Sequence, residues 1–542
     1  MKILAIIPAR GGSKGIPRKN VRIMSGKPLI SYAIENALAS RYDLNVCVST
    51  DDEEIGRVSK QYGAEVIERS ALLASDSITL DPVIYDAVQK MSKKNEKEYD
   101  IVITLQPTSP LLTSKTLDAA IEDLITYGFD TLISGVNSPH LAWKIENKKA
   151  VPAYKERLNR QYLPKNLIET GAFVITKSNF VTENSRFGKN ISIYEMPENE
   201  AIDIDTPHDW WIAEKELSKK NILIRVDGYS KIGLGHVYRS LVLANNFIDH
   251  NVCFVLSEQS DIGIQKIKAS HYKYEVISGN HEMGELIQRY NCDIVINDIL
   301  NTDEDYIHYL KSTDVKVVNF EDLGKGSKYA DIVINDLYSK QFEDTHYYWG
   351  SEYYLIRDEF LISKPSPYNE VVKEVLVIFG GSDPSNLTEK LFQSIQKLDQ
   401  KDNIHFTFII GLGYKGYEEL AQKVKSLTLN IDVIQNVKMM TEYMKKADLA
   451  ISSQGRTMLE LAAMAVPTIL MAQNKRELEH EFGYLQNGFI NLGYGKDIEA
   501  ETVAETISWL IKSPQIREQM RSRMLQTDLK NGLKKVLSLI LD

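Results

Sequence analysis

Two segments of this chain carry the residue types that hold phosphate groups. The first reads IIPARGGSKGIPRKN, residues 6–20. Its Gly11, Gly12 and Gly15 let backbone N–H groups turn inward around an anion, and Arg10, Lys14, Arg18 and Lys19 add positive charge. A triphosphate suits such a turn, although the spacing is neither that of a P-loop nor that of a dinucleotide fingerprint. The second reads IRVDGYSKIGLGHVYRS, residues 224–240, and sets Gly233, Gly235 and His236 where a strand meets a helix. The positive end of a helix favours neutral imidazole, the form that acts as a base, while the same position also suits a capping or packing histidine. Between these segments lie Asp203 and Asp205. Read as a strand, they project to one side, and paired hard oxygens suit Mg²⁺; a D-x-D pair serves equally as a structural or capping pair.

The elements that must position these groups alternate between β-branched runs and helix-length amphipathic segments, the pattern of α/β domains with largely parallel sheets. Strands are expected at KILAIIPA, NVCVST, IVITLQ, TLISGV, GAFVIT and ISIYEM, with TPHDWWIAEKELSKK closing the first part as a helix. A new strand and helix series starts at Ile222, and another at EVLVIFGGSDPSN after the connector SKPSPYNE. This places one domain at 1–219 and a second at 220–542, the latter split into Rossmann-like lobes 220–365 and 366–542. Ligands of such sheets bind beyond the carboxyl ends of the strands, so the cleft between the lobes is the expected site.

A chain of 542 residues, 43% hydrophobic and 25% charged, belongs to the globular class and is long enough for two or three domains. Its net charge of −10 argues against nucleic-acid binding and requires anions to be held by local positive turns. No run approaches a membrane span, and ILAII is too short for the core of a signal peptide. Three cysteines without metal spacing read as free thiols in a reducing cytoplasm.

The first glycine turn resembles the signature of CMP-sialic acid synthetases, the acylneuraminate cytidylyltransferases. LQPTSPL (105–111), RQYLPK (160–165), ETGAF (169–173) and IDIDTPHDW (202–210) resemble later blocks of that family in the same order. The resemblance implies transfer of CMP from CTP to a nine-carbon 2-keto sugar acid, a nonulosonic acid, with release of pyrophosphate. It further implies that Arg10 and Lys19 contact phosphates, that Gly11, Gly12, Ser13 and Asn20 hold the nucleotide, and that Arg69 and Gln106 face nucleotide and sugar. Arg160 and Gln161 would hold the acceptor acid, and Asp203 and Asp205 would bind Mg²⁺. Leu112 and Thr170 depart from the family's usual Arg and Asn at positions expected near the sugar. A synthetase for the shorter sugar 3-deoxy-manno-octulosonate is the alternative. By the same analogy a homodimer is expected.

Residues 222 to about 490 resemble the UDP-sugar hydrolase of pseudaminic acid biosynthesis, a GT-B protein related to MurG. The likeness is carried by IRVDGYSKIGLGHVYRSLVLA, with weaker echoes at DIVIND (293–298), YYLIRDEF, VIFGGSDPSN, SSQGRTMLELAAMAVP and MAQN. It implies a UDP-sugar substrate, no metal, and His236 activating the water that displaces UDP. Gly235, Gly381, Ser382, Arg456 and Asn474 would surround the substrate, with Glu460 on ribose hydroxyls. Two helix N-termini, near Leu387 and Arg456, would face the diphosphate. The expected protein is therefore bifunctional. The alternatives for this half are a glycosyltransferase, which shares the architecture, and a non-catalytic sugar-nucleotide binding module.

Overall fold

The computed structural model describes all residues other than 14, 76, 230–231, 342, 382, 399–402, 412, 415, 426–428, 436 and 438. The chain divides into two compact units, Met1–Lys219 and Lys220–Asp542.

In the first unit, strand β1 (Ile3–Pro8) lies inside a seven-stranded sheet between Leu44–Thr50 and Ile101–Leu105, parallel to both. Its Ile3, Leu4, Ala5, Ile6 and Ile7 are all buried, because helices cover both faces and an unbroken apolar run is what a central parallel strand needs. Leu167–Lys177 runs antiparallel to its neighbours Ile101–Leu105 and Thr131–Asn137. The closing helix, Pro207–Leu217, starts on a capping box in which Thr206 and Asp209 satisfy each other's backbone N–H.

The second unit holds two parallel sheets. In the first lobe, β2 (Asn221–Val226) sits between Asn251–Ser257 and β3 (Ile294–Asp298), followed outward by β4 (Lys316–Phe320) and β5 (Ile332–Asn335). Helix α1 (Gly235–Asn246) follows the glycine turn after β2. In the second lobe, β6 (Glu374–Ile378) lies between His405–Ile410 and Leu449–Ser452, with β7 (Thr468–Ala472) beyond. Helices α2 (Leu387–Gln396) and α3 (Thr457–Ala463) belong to this lobe. The last helix, α4 (Gly532–Leu541), leaves it and packs Val536 and Ile540 into the core of the first lobe. Lys316 Nζ takes the carbonyls of Leu539 and Ile540 at 3.0 Å each, where a cation meets the negative end of that helix. Gly532 is required at the crossing, since a Cβ there would sit 2.2 Å from the carbonyl oxygen of Tyr354. The architecture is the expected one: a Rossmann-like nucleotidyltransferase domain followed by a GT-B pair of lobes.

Among the described residues no helix is long and apolar enough to cross a membrane. All three cysteines are free, and burial pushes the Cys47 thiol well above its ordinary range, which makes it unreactive.

Candidate functional site

In the first unit the chain leaves β1 through the basic glycine turn. Gly11 N–H donates to Asp51 Oδ1 at 3.1 Å, and the buried Asn20 donates through Nδ2 to the Arg10 carbonyl at 3.0 Å, so Asn20 pins the turn from behind. Arg69 is buried and holds Ser49 through its carbonyl (2.6 Å) and hydroxyl (3.3 Å). Burial lowers the Arg69 pKa; Asp51 opposes the shift and the charge of Arg10 adds to it, so these groups share one neighbourhood. Arg18 pairs with Glu54. Gly12 faces open space and Ser13 is half-buried, while Lys14 lies outside the described residues.

The turn is tied to the aspartate pair. Lys19 Nζ donates to the Ile204 carbonyl at 2.5 Å and reaches Asp205 Oδ1 at 3.3 Å. A Cβ on Gly15 would lie 2.2 Å from the Asp205 carbonyl oxygen, so only glycine allows this approach. A Cβ on Gly171 would lie 3.1 Å from Gln106 Nε2 and 3.5 Å from Asp203 Oδ2, which brings Gln106 to the same place. The expected strand at 202–205 is not formed. Residues 201–205 have no ladder partner, and the segment is an extended link between the turn Glu198–Glu200 and the closing helix. Asp205 is exposed, whereas Asp203 is half-buried and its Oδ1 has no hydrogen-bond partner. Burial raises the Asp203 pKa, Asp205 adds to the rise, and the Thr108 hydroxyl opposes it. A buried, unpaired carboxylate oxygen beside a second carboxylate fits a hard divalent cation. Among the described residues, no group of three or more His, Cys, Asp and Glu side chains could hold a metal ion. Bound phosphate oxygens would have to complete such a site.

Arg160 and Gln161 lie on the exposed turn Arg160–Tyr162, with Arg160 at 3.6 Å from Glu198. The two departures from the family pattern are absorbed inward. Leu112 packs in the main core, and Thr170 Oγ1 donates to Ser134 Oγ at 2.9 Å.

In the second unit, His236, Gly235, Gly381, Arg456, Glu460 and Asn474 all line one cleft of about 450 Å³; Ser382 lies outside the described residues. His236 is the second residue of α1, and Arg239 and Ser240 share its face at helical spacing. All three meet Asp298, at the carboxyl end of β3. His236 Nδ1 lies 2.6 Å from Oδ1, Arg239 Nε donates to Oδ2 at 2.8 Å, and Ser240 Oγ donates to Oδ2 at 3.3 Å. Arg239 also meets Glu321 (2.9 Å) and Asp336 (3.5 Å), which follow β4 and β5. Burial alone would raise the Asp298 pKa, but Arg239 and His236 hold it down at about 2. Glu321 is likewise buried and held far below its ordinary value by Arg239 and Arg456.

Arg456 comes from the other lobe and enters the same cluster. Its Nη1 donates to Glu321 (3.0 Å) and Asp336 (3.1 Å), and its Nη2 to Asp336 (2.8 Å). The guanidinium expected to face a diphosphate is therefore already neutralised between the lobes. The α2 terminus is also spoken for, since Asp383 accepts the N–H groups of Leu387 (2.9 Å) and Thr388 (2.8 Å). Glu460 is held by Arg357 Nε at 2.7 Å, and Asn474 Oδ1 accepts the Glu477 N–H at 3.0 Å. Across the cleft the two glycine turns close on each other, with a Cβ on Gly381 3.7 Å from Gly233 Cα and from the Leu234 nitrogen.

Sequence reasoning passed over Arg239, Asp298, Glu321, Asp336 and Arg357. The signal was present. The hexapeptide DIVIND occurs twice, at 293–298 and 331–336, and sets Asp298 as the last residue of β3 and Asp336 just after β5, both meeting Arg239 of α1.

Residues 4–225 match the family model described as Cytidylyltransferase, and residues 375–536 match the Glycosyltransferase family 28 C-terminal domain. N-acylneuraminate cytidylyltransferase A of Danio rerio is 35% identical over 223 residues, 40% of this chain and 50% of that protein. Pseudaminic acid cytidylyltransferase of Campylobacter jejuni is 37% identical over 217 residues, 39% of this chain and 93% of that protein. The crystal structure of MurG from Acinetobacter baumannii covers 59% of this chain and 99% of its own, with 14% identity and a TM-score of 0.46. The chain spans only 50–58% of some of the curated relatives it matches. It belongs, through its first unit, to the cytidylyltransferase family. The hydrolase expected of the second unit is corrected: the family matched over 375–536 is one of glycosyl transfer, with no hydrolase specified.

The ion cluster predicts an acid response. Because Asp298 sits at about 2 in the folded chain against an ordinary 3.8, its contribution to stability is present above pH 4 and is lost as pH falls towards 2. Asp298→Asn removes that contribution and leaves Arg239 underpaired, so it lowers the stability of the second unit by ~3–5 kcal/mol at pH 7. Urea unfolding at pH 7 and pH 3 checks both the loss and the flatter pH dependence of the variant.

Proposed function

We propose that this is a bifunctional cytoplasmic protein whose first unit transfers CMP from CTP to a nonulosonic acid and whose second unit transfers a sugar from a UDP-sugar to an acceptor hydroxyl. The observation that carries the first reading is the Lys19 link between the basic glycine turn and the aspartate segment, next to the unpaired oxygen of Asp203. The anomeric hydroxyl of the acid forms its bond to the α-phosphorus as the bond to the β-phosphate oxygen breaks, and pyrophosphate leaves in line. Arg10 and Lys19 face the triphosphate, while Asn20 holds the turn that carries Arg10. Gly11, Gly12 and Ser13 offer backbone N–H groups, Arg69 and Gln106 border the nucleotide and sugar, and Arg160 with Gln161 holds the sugar's carboxylate. Asp203 and Asp205 would hold Mg²⁺, which when bound neutralises charge on the phosphates. A dimer belongs to the same proposal by analogy with the family; a light-scattering mass of one chain would remove it.

For the second unit the carrying observation is the buried His236–Asp298 pair at the cleft. Asp298 holds Nδ1, which leaves Nε2 to take the proton of the acceptor hydroxyl. That hydroxyl attacks the anomeric carbon, the bond from that carbon to the diphosphate breaks, and UDP departs.

Incubating the chain with CTP, Mg²⁺ and a panel of keto sugar acids should release pyrophosphate with a nine-carbon acid and not with 3-deoxy-manno-octulosonate; the opposite preference would reverse the assignment. Asp203→Asn should lower kcat/KM by about 10²–10³-fold, and full Mg²⁺-dependent turnover by that variant would contradict the metal role. With UDP-sugars, UDP should appear only when a glycan acceptor is present and should drop at least ~100-fold in His236→Ala. UDP release without an acceptor would refute glycosyl transfer.

A further inference from the structure

Glu477 is a cleft residue for which the reactions above have no use. It opens a short turn just after β7, and its Oε2 accepts the Gln473 N–H at 2.8 Å. Its Oε1 lies 3.4 Å from where a Cβ on Gly455 would be, against the turn that leads into α3. Gly455 and Gly381 belong to the turns whose backbone opens onto the cleft, which is where a nucleotide's phosphates can approach the chain most closely.

Among the described residues, the charged groups around Glu477 leave it without a counter-ion. Asp383, in the turn after β6, caps α2 and pushes the Glu477 carboxyl further from ionisation. Arg456 is engaged with Asp336 and Glu321, and Glu460 with Arg357. Arg476 turns to the Tyr338 hydroxyl and the Glu321 carbonyl, at 2.6 Å each. His480 donates its Nδ1 hydrogen to the Gln454 carbonyl at 2.7 Å, and burial lowers its pKa. Burial therefore dominates at Glu477 and lifts its pKa from 4.5 to about 7.

We propose that Glu477 faces the phosphates of the bound nucleotide as a protonated carboxylic acid and donates a hydrogen bond to a phosphate oxygen that an ionised carboxylate would repel. This rests on the reading of the cleft as a nucleotide-sugar site and adds its pH dependence. The geometry accounts for an otherwise costly placement, an acid that no described residue pairs as counter-ion, in a site for anions. It also supplies a donor where the guanidinium of Arg456 is already taken.

The test is UDP affinity of the intact chain, by calorimetry from pH 6 to pH 9, compared with Glu477→Gln. The amide keeps a donor and an acceptor but cannot ionise, and the titration of UDP itself and of the histidines affects both proteins alike. The ratio of wild-type to variant affinity should fall roughly tenfold for each pH unit above 7. Glu477→Met, which has no donor, should bind UDP at least ~fivefold more weakly than wild type at pH 6. A ratio constant from pH 6 to pH 9, or wild-type affinity in Glu477→Met at pH 6, would overturn the proposal. Failure of UDP to bind at every pH would instead remove the nucleotide reading, and this inference with it.

Discussion

Each of the three large sheets reverses its strand order at the strand that opens it. β1 lies between Leu44–Thr50 and Ile101–Leu105, β2 between Asn251–Ser257 and β3, and β6 between His405–Ile410 and Leu449–Ser452. At such a point the connections on either side diverge to opposite faces and leave a crevice at the carboxyl edge. In all three cases the chain emerges from that strand on glycine: Gly11 and Gly12, Gly228 and Gly233, Gly380 and Gly381. The crevice comes from the topology, while the glycines let a ligand reach backbone N–H groups inside it. The candidate site residues derive their positions from this arrangement.

How charge is managed at these crevices is the second constraint. An acidic chain must hold anions through local cations, yet the structure rarely leaves those cations uncompensated. Arg18 pairs with Glu54, Lys19 reaches Asp205, Arg239 and Arg456 share three buried carboxylates, and Arg357 holds Glu460. Ion pairs so deeply buried gain little net stability over an apolar core, because desolvation offsets their attraction. What they supply is position. Three strands each deliver one carboxylate to α1, and Arg456 bridges two of them, Glu321 and Asp336, to the second lobe. The backbone of Glu321 takes a left-handed φ of 51° to do this, a strain more often met at functional sites than elsewhere.

Much of this was legible in the residues. The unbroken apolar runs made the central strands plain, since only strands covered on both faces are apolar throughout. The two glycine turns, and the histidine beginning a helix, were equally plain. The error at Asp203 has a simple cause: in AIDIDTP the alternation of Ile202 and Ile204 with aspartates is that of a strand, but no neighbouring strand is there to pair with it. Ile204 is buried and Asp205 exposed, so the periodicity was right and the ladder absent. The partners of His236 could not be read from local pattern, because Asp298 and Glu321 lie 62 and 85 positions away and converge only once the strand order is known. The paired state of Arg456 was hidden for the same reason. Its neutralisation depends on a contact between lobes that no local spacing encodes.

The central claim is that one chain carries two separate nucleotide sites, each built on the crevice of its own unit. Amide hydrogen exchange of the intact chain, measured free, with CTP and Mg²⁺, and with UDP, addresses it directly. CTP should slow exchange across residues 9–20 and 203–206 and leave the second unit unchanged, whereas UDP should slow it at 232–236, 379–381 and 453–457 and leave the first unit unchanged. Protection of the same turns by both nucleotides, or of neither set by either, would contradict the account.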